Sequence, residues 1–140
     1  MAVCNVLYES WQMQCCGTPF DTGETVSWLI GKLGADTYWD SSFMKLSCER
    51  MEYYYEAHSS EYEKLFVVHG TVSRIFAVHS AIEQNPDGSN TNIRVPKIVT
   101  PVNHANGLDE NIDGFEFNSY CVVLENVILR PANKSEVTFR

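Results

Sequence analysis

Phe115-Glu116-Phe117-Asn118-Ser119-Tyr120-Cys121-Val122-Val123-Leu124-Glu125-Asn126-Val127-Ile128-Leu129 is the stretch whose reading decides the fold. It is rich in β-branched and aromatic residues, contains no internal Pro or Gly, and is closed by Pro131. A second run, Leu65 to Ile82, is equally rich in Val, Ile and Phe and is interrupted only by Gly70. A glycine inside a strand pattern marks a bulge or bend, so one long, bent strand is expected here. Two such runs need partners of the same kind, and the chain supplies them.

Residues 3 to 13 read as a first strand, ended by Cys16-Gly17-Thr18-Pro19. After a turn at Asp21-Thr22-Gly23-Glu24, Thr25 to Ile30 reads as a second strand. Asn85-Pro86-Asp87-Gly88 is a turn, and Asn92 to Thr100 a strand whose Pro96 confines it to a sheet edge. A polar loop over 101–114 leads into the Phe115 strand, and Val137 to Phe139 adds a last short one. Between these, Met44, Cys48, Met51, Tyr55 and His58 recur every three or four positions, the stripe of a helix. Tyr53-Tyr54-Tyr55 fits that helix less well, because aromatics lose χ1 freedom there. No βαβ rhythm is present. The expected fold is mostly β: a small antiparallel barrel or strongly curled sheet of five to six strands with one covering helix, in a single domain over 1–140.

Composition narrows the function. The 140 residues are 44% hydrophobic, sufficient for one core, and carry a formal charge of −8. The ten Lys and Arg residues are scattered, with no two adjacent, which makes nucleic acid and anionic membrane surfaces unlikely partners. The N-terminus has no secretory signal pattern and no apolar run long enough to cross a bilayer, so a cytoplasmic protein with reduced thiols is expected. No phosphate-binding glycine loop, His-Glu-x-x-His or Gly-x-Ser-x-Gly occurs, and no recognised catalytic motif points to an enzyme.

Trp11-Gln12-Met13-Gln14-Cys15-Cys16-Gly17-Thr18-Pro19-Phe20 has the most chemical character. Three readings stay open for its adjacent cysteines. In an extended segment one thiol packs inward and its neighbour outward. Alternatively Cys15 and Cys16 are metal ligands for Zn, completed by His58 or His79 from elsewhere in the fold. The third reading is a reactive thiolate, which needs a helix N-terminus, a cation or a histidine beside it. A separate expectation rests on the aromatics. Trp11, Trp28, Trp39 and Tyr54, gathered at one end of a barrel, would line a surface for a protein partner or small ligand. The leading expectation is such a non-enzymatic binding module, with a homodimer among its expected forms; the metal or thiol site is the alternative.

The Trp11 to Phe20 segment, followed by Gly23, Val26 and Trp28, resembles a family of bacterial proteins catalogued as a domain of unknown function. The resemblance continues through Tyr54-Tyr55-Glu56-Ala57-His58, Gly70-Thr71-Val72, Ala77-Val78-His79 and Tyr120-Cys121-Val122-Val123-Leu124. It implies one compact domain from a bacterial cytosol and brings no activity and no assigned catalytic residues.

Overall fold

The computed structural model describes residues 2–33, 51–59, 61–85 and 87–137. The described chain runs β1 (Val3–Glu9), α1 (Ser10–Cys15), β2 (Phe20–Asp21), β3 (Thr25–Lys32), β4 (Tyr53–Tyr55), β5 (Leu65–Gln84), β6 (Asn92–Val102), β7 (His104–Ala105) and β8 (Glu116–Pro131). Short 3-10 turns cover Tyr62–Lys64 and Lys134–Glu136. The fold is mostly β, as the strand patterns require.

The six larger strands form one sheet in the order β3-β4-β1-β8-β5-β6, and β3 pairs again with β5. That extra pairing closes a ring of hydrogen-bonded strands, β3-β4-β1-β8-β5-β3. Every neighbouring pair in the ring is antiparallel except β1 and β4, which run parallel. The 20-residue β5 makes closure possible. Its first half pairs with β3 and its second half with β6, while β8 follows it from Phe66 to Ser80. A straight strand cannot serve all three, and the β5–β8 register shifts at three places, one of them across Gly70. A Cβ on Gly70 would stand 3.1 Å from the Glu125 carbonyl oxygen, so the close crossing there favours glycine. β6, with Pro96 and Pro101, lies at the end of the sheet order.

Side chains alternate across the strands, and the inward set fills the ring. Val6, Tyr8, Ile30, Val72, Tyr120 and Leu124 are at most 1% exposed. Tyr8 stacks on Tyr55 with ring centroids 4.0 Å apart and meets Trp28 edge-on at 5.2 Å. These aromatic contacts close one end of the core.

Two expectations about helices are corrected. The first strand stops at Glu9, and Ser10–Cys15 is helical rather than extended. Gln12 and Met13 are adjacent and both buried, which a period-two strand with one wet face does not allow. The segment is too short for a helical period to show in the sequence. The helix expected around residues 44–58 lies outside the described residues up to Arg50. From Met51 onward it is replaced by extended chain, with Tyr53–Tyr55 forming β4. Tyr53 and Tyr55 pack against the inner cluster between β1 and β3, where aromatic rings are well accommodated on a pleated surface. The expected terminal strand at Val137 to Phe139 is not formed at Val137, which follows the second 3-10 turn; the remainder lies outside the described residues.

The inward stack predicts an asymmetric response to truncation. Leu124→Ala is expected to cost about 2–5 kcal/mol through lost burial and a residual cavity. Leu108→Ala, at a 70% exposed position, is expected to stay within about 0.5 kcal/mol of wild type. Urea denaturation of the two variants measures the contrast.

Candidate metal centre

The site is built where α1 ends. Cys15 is the last helical residue and Cys16 its C-cap, whose N–H donates to the Gln12 carbonyl at 2.8 Å. The Gly17 N–H donates to the same carbonyl at 3.0 Å, turning the chain sharply. A Cβ on Gly17 would lie 2.1 Å from the Tyr8 hydroxyl oxygen and 2.9 Å from the Met13 Cα, so only glycine fits behind the cysteine pair. Both thiols are exposed. The packed-in, faced-out alternation of an extended segment therefore does not occur.

His58 comes from the segment after β4 and is held by Gln12. The Gln12 side chain is 1% exposed. Its Nε2 donates to the Tyr55 carbonyl at 2.9 Å, which fixes the orientation of the amide. Its Oε1 then accepts from the Ala57 N–H at 3.0 Å and lies 3.0 Å from His58 Nδ1. An amide oxygen has no proton to give, so Nδ1 carries the hydrogen and Nε2 of the neutral ring is left with its lone pair. That lone pair faces the cysteines. His58 Nε2 is 3.1 Å from Cys16 Sγ and 3.4 Å from Cys15 Sγ, and the two sulfurs are 2.9 Å apart. Trp11 covers the imidazole, with ring centroids 4.8 Å apart.

All three ligand atoms lie within 4.8 Å of one another, the one such group of His, Cys, Asp or Glu among the described residues. Around a tetrahedral zinc ion, bond lengths near 2.3 Å to sulfur and 2.0–2.1 Å to nitrogen give S···N edges of about 3.5 Å and an S···S edge of about 3.8 Å. The S···N edges are already within a few tenths of an ångström of this. The sulfurs must spread by a little under about 1 Å, a small side-chain rotation for exposed thiols. A histidine whose second nitrogen donates to a fixed oxygen is the usual arrangement for a metal ligand.

The electrostatics do not favour a bare thiolate. The Cys16 thiol is pushed above its ordinary value, first by its hydrogen bond with Cys15 and then by desolvation and the neighbouring sulfur's charge. The pair sits at the carbonyl end of a short helix, whereas reactive cysteines are activated at the N–H end or beside a cation. A divalent cation would supply the positive charge that two thiolates need here. Elsewhere Cys4 is buried, and burial with the Glu52 charge pushes its thiol up to about 12; Cys121 is buried too.

The other residues singled out in the sequence are dispersed. His79 is 1% exposed on β5 and donates from Nε2 to the Glu110 carbonyl at 2.7 Å. It also packs on Phe117 and does not join the cysteine group. Trp28 belongs to the inner cluster, while Tyr54 points to the opposite face of the ring, against Gly31. Trp11 lies over His58, and Trp39 falls outside the described residues. Trp11, Trp28 and Tyr54 therefore do not share one face. Gln12 is the functional side chain that sequence reading missed. Its signal was a polar residue inside an otherwise apolar Trp-x-Met run, visible only once the segment is known to be helical.

A mostly β chain with an exposed Cys-Cys-His group is the class that the fold and site define. Its residues 2–126 match the family described as "Family of unknown function (DUF6578)", and the chain belongs to that family. No curated protein and no solved structure matches it. Among the described residues, no helix is long and apolar enough to cross a membrane.

Gln12 makes a specific prediction as a positioning residue. Gln12→Leu keeps the buried volume but leaves the Ala57 N–H and the Tyr55 carbonyl without partners. It is expected to cost about 2–4 kcal/mol in denaturant unfolding. It should also weaken cobalt(II) binding about 10- to 100-fold by releasing the His58 ring, as read from visible spectra.

Proposed function

We propose that this chain is a metal-binding β-domain in which Cys15 Sγ, Cys16 Sγ and His58 Nε2 hold one zinc-class ion, with Gln12 orienting the histidine. The observation that carries this reading is the His58 lone pair, aimed by the buried Gln12 amide to within 3.4 Å of both thiols. Two soft thiolates and one imidazole select zinc or a metal of similar preference over magnesium or calcium. Among the described residues these three protein ligands, with exposed sulfurs, leave a fourth position for water or a ligand donor, the pattern of zinc sites that work on a bound molecule. His79, expected as an alternative ligand, has no part in it. The metal also supports the wider expectation of a binding module, because an open coordination position recognises a donor atom directly.

Protein purified without a histidine tag is expected to take up one equivalent of cobalt(II), with thiolate-to-metal charge-transfer absorption in the near ultraviolet, displaced by one equivalent of zinc. Cys15→Ser, Cys16→Ser and His58→Ala should each abolish or strongly weaken this. Failure of cobalt to give a thiolate band overturns the reading. Because the thiols lose protons on binding, uptake should release protons and the affinity should fall as the pH is lowered. Isothermal titration in buffers of different ionisation enthalpy measures that release.

Peptide-mapped alkylation gives a second check. Cys15 and Cys16 are expected to react in the native metal-free protein and to be protected by zinc. Cys4 and Cys121 should react only on unfolding. Equal protection of all four thiols without metal would contradict the exposed site.

A further inference from the structure

Among the described residues, β3 has an edge without a partner strand beside the Cys15-Cys16-His58 group. In an antiparallel strand the N–H and C=O of one residue point to the same side, and successive residues point to opposite sides. On β3 the Glu24 carbonyl just before the strand accepts from Val72 of β5 at 2.8 Å, and the Leu29 carbonyl accepts on the other side from the Glu56 N–H at 3.0 Å. Thr25 and Ser27 share the parity of Leu29, so their backbone groups point away from β5. From Ile30 to Lys32 that outer edge is taken by β4. At Thr25 and Ser27 no described residue bonds to it, and both residues are exposed.

Two cavities lie along this open edge. One of about 420 Å³ runs from Cys16 past Ser27 and Trp28 to Glu136. The other, of about 310 Å³, continues past Ser27 and Thr25 to Glu24. They share Ser27, Trp28 and Tyr55, so together they make one trough whose floor is aromatic. Thr25 to Leu29 spans about five residues of extended chain at roughly 3.3 Å each. Two carboxylates, Glu24 and Glu136, line the trough, and among the described residues no Lys, Arg or His lines either cavity. Glu136 is paired with Arg130 at 2.5 Å, outside the lining, which leaves Glu24 as the charge at the rim that no described cation neutralises. The whole chain adds a formal charge of −8.

We infer that the open edge of β3 at Thr25–Ser27 binds an extended segment of a partner polypeptide carrying a Lys or Arg side chain, added as a further strand. Backbone hydrogen bonds to Thr25 and Ser27 hold the segment. Its alternate side chains fall into the two cavities, and the basic residue lies toward Glu24. This inference is independent of the metal-binding reading, although the trough ends at Cys16.

An arrayed library of random ten-residue peptides, probed with the chelator-treated full chain, tests it. Bound peptides are expected to be enriched in Lys or Arg at one position. For the best of them, measured by fluorescence anisotropy, N-methylation of backbone amides should weaken binding tenfold or more at every second position and little between. Ser27→Pro removes the outward N–H at an exposed edge, where proline is tolerated, and should weaken the same peptide at least tenfold. Glu24→Gln should weaken it several-fold, and less at high salt. The N-methyl series on the wild-type chain carries the test should Ser27→Pro fail to fold. Absence of basic enrichment, N-methyl effects without alternation, or an unchanged affinity in a folded Ser27→Pro variant would each overturn the inference. Cobalt binding is scored separately, so loss of one result leaves the other standing.

Discussion

Closure of the strand ring through β5 is the constraint on which the remaining structure rests. One strand satisfies β3, β8 and β6 because it is 20 residues long and its pairing slips where the chain must bend. Without the β3–β5 pairing, β3 would be held only through three residue pairs with β4. The inner aromatic group of Tyr8, Trp28 and Tyr55 would then lose one wall. The buried positions of β1, β3, β5 and β8 face one another because the ring is closed, and hydrophobic burial in turn holds it closed.

The Cys15-Cys16-His58 group is attached to this ring by two glutamine side chains of α1. Gln12 reaches the Tyr55 carbonyl and the Ala57–His58 backbone and ring on one side. Gln14 donates to the Gly107 carbonyl at 2.7 Å on the other. Gly107 is itself tied to β8, since its N–H donates to the Tyr120 hydroxyl at 3.0 Å and that hydroxyl donates to Asp109. Burial, with Asp109 accepting its proton, holds the Tyr120 phenol well above its ordinary value, so it stays a donor across the physiological range. A six-residue helix has little stability of its own, and these side-chain bonds hold it where Cys15 and Cys16 meet His58.

The Cys15-Cys16-His58 group and the Thr25–Ser27 edge occupy the same end of the molecule because both are consequences of a short β4. Its three residues cover only Ile30 to Lys32 of β3, and the chain then turns away through Ala57 and His58. That turn brings the imidazole to the cysteines and at the same time leaves Thr25 and Ser27 without a neighbouring strand among the described residues. A longer β4 would have closed the edge and carried His58 away from α1.

The sequence by itself determined the strand content, the bend near Gly70, the edge position of the Pro96 strand and the candidacy of Cys15, Cys16 and His58. Those features depend on local propensity, on backbone geometry and on the chemistry of side-chain types, all of which a linear chain displays. From Met51 onward it read a helix where the chain is extended, because the spacing of Met51, Tyr55 and His58 mimics a helical stripe, and it missed α1, whose six residues are too few to show one. Only the tertiary structure decided that His58 rather than His79 stands beside the cysteines, that Gln12 is buried and sets the histidine's tautomer, and that Trp28 and Tyr54 part to opposite faces. The first two depend on contacts across more than forty residues and the third on β3–β4 pairing across more than twenty, and register at that range is set by the closed core and not by any neighbouring residue.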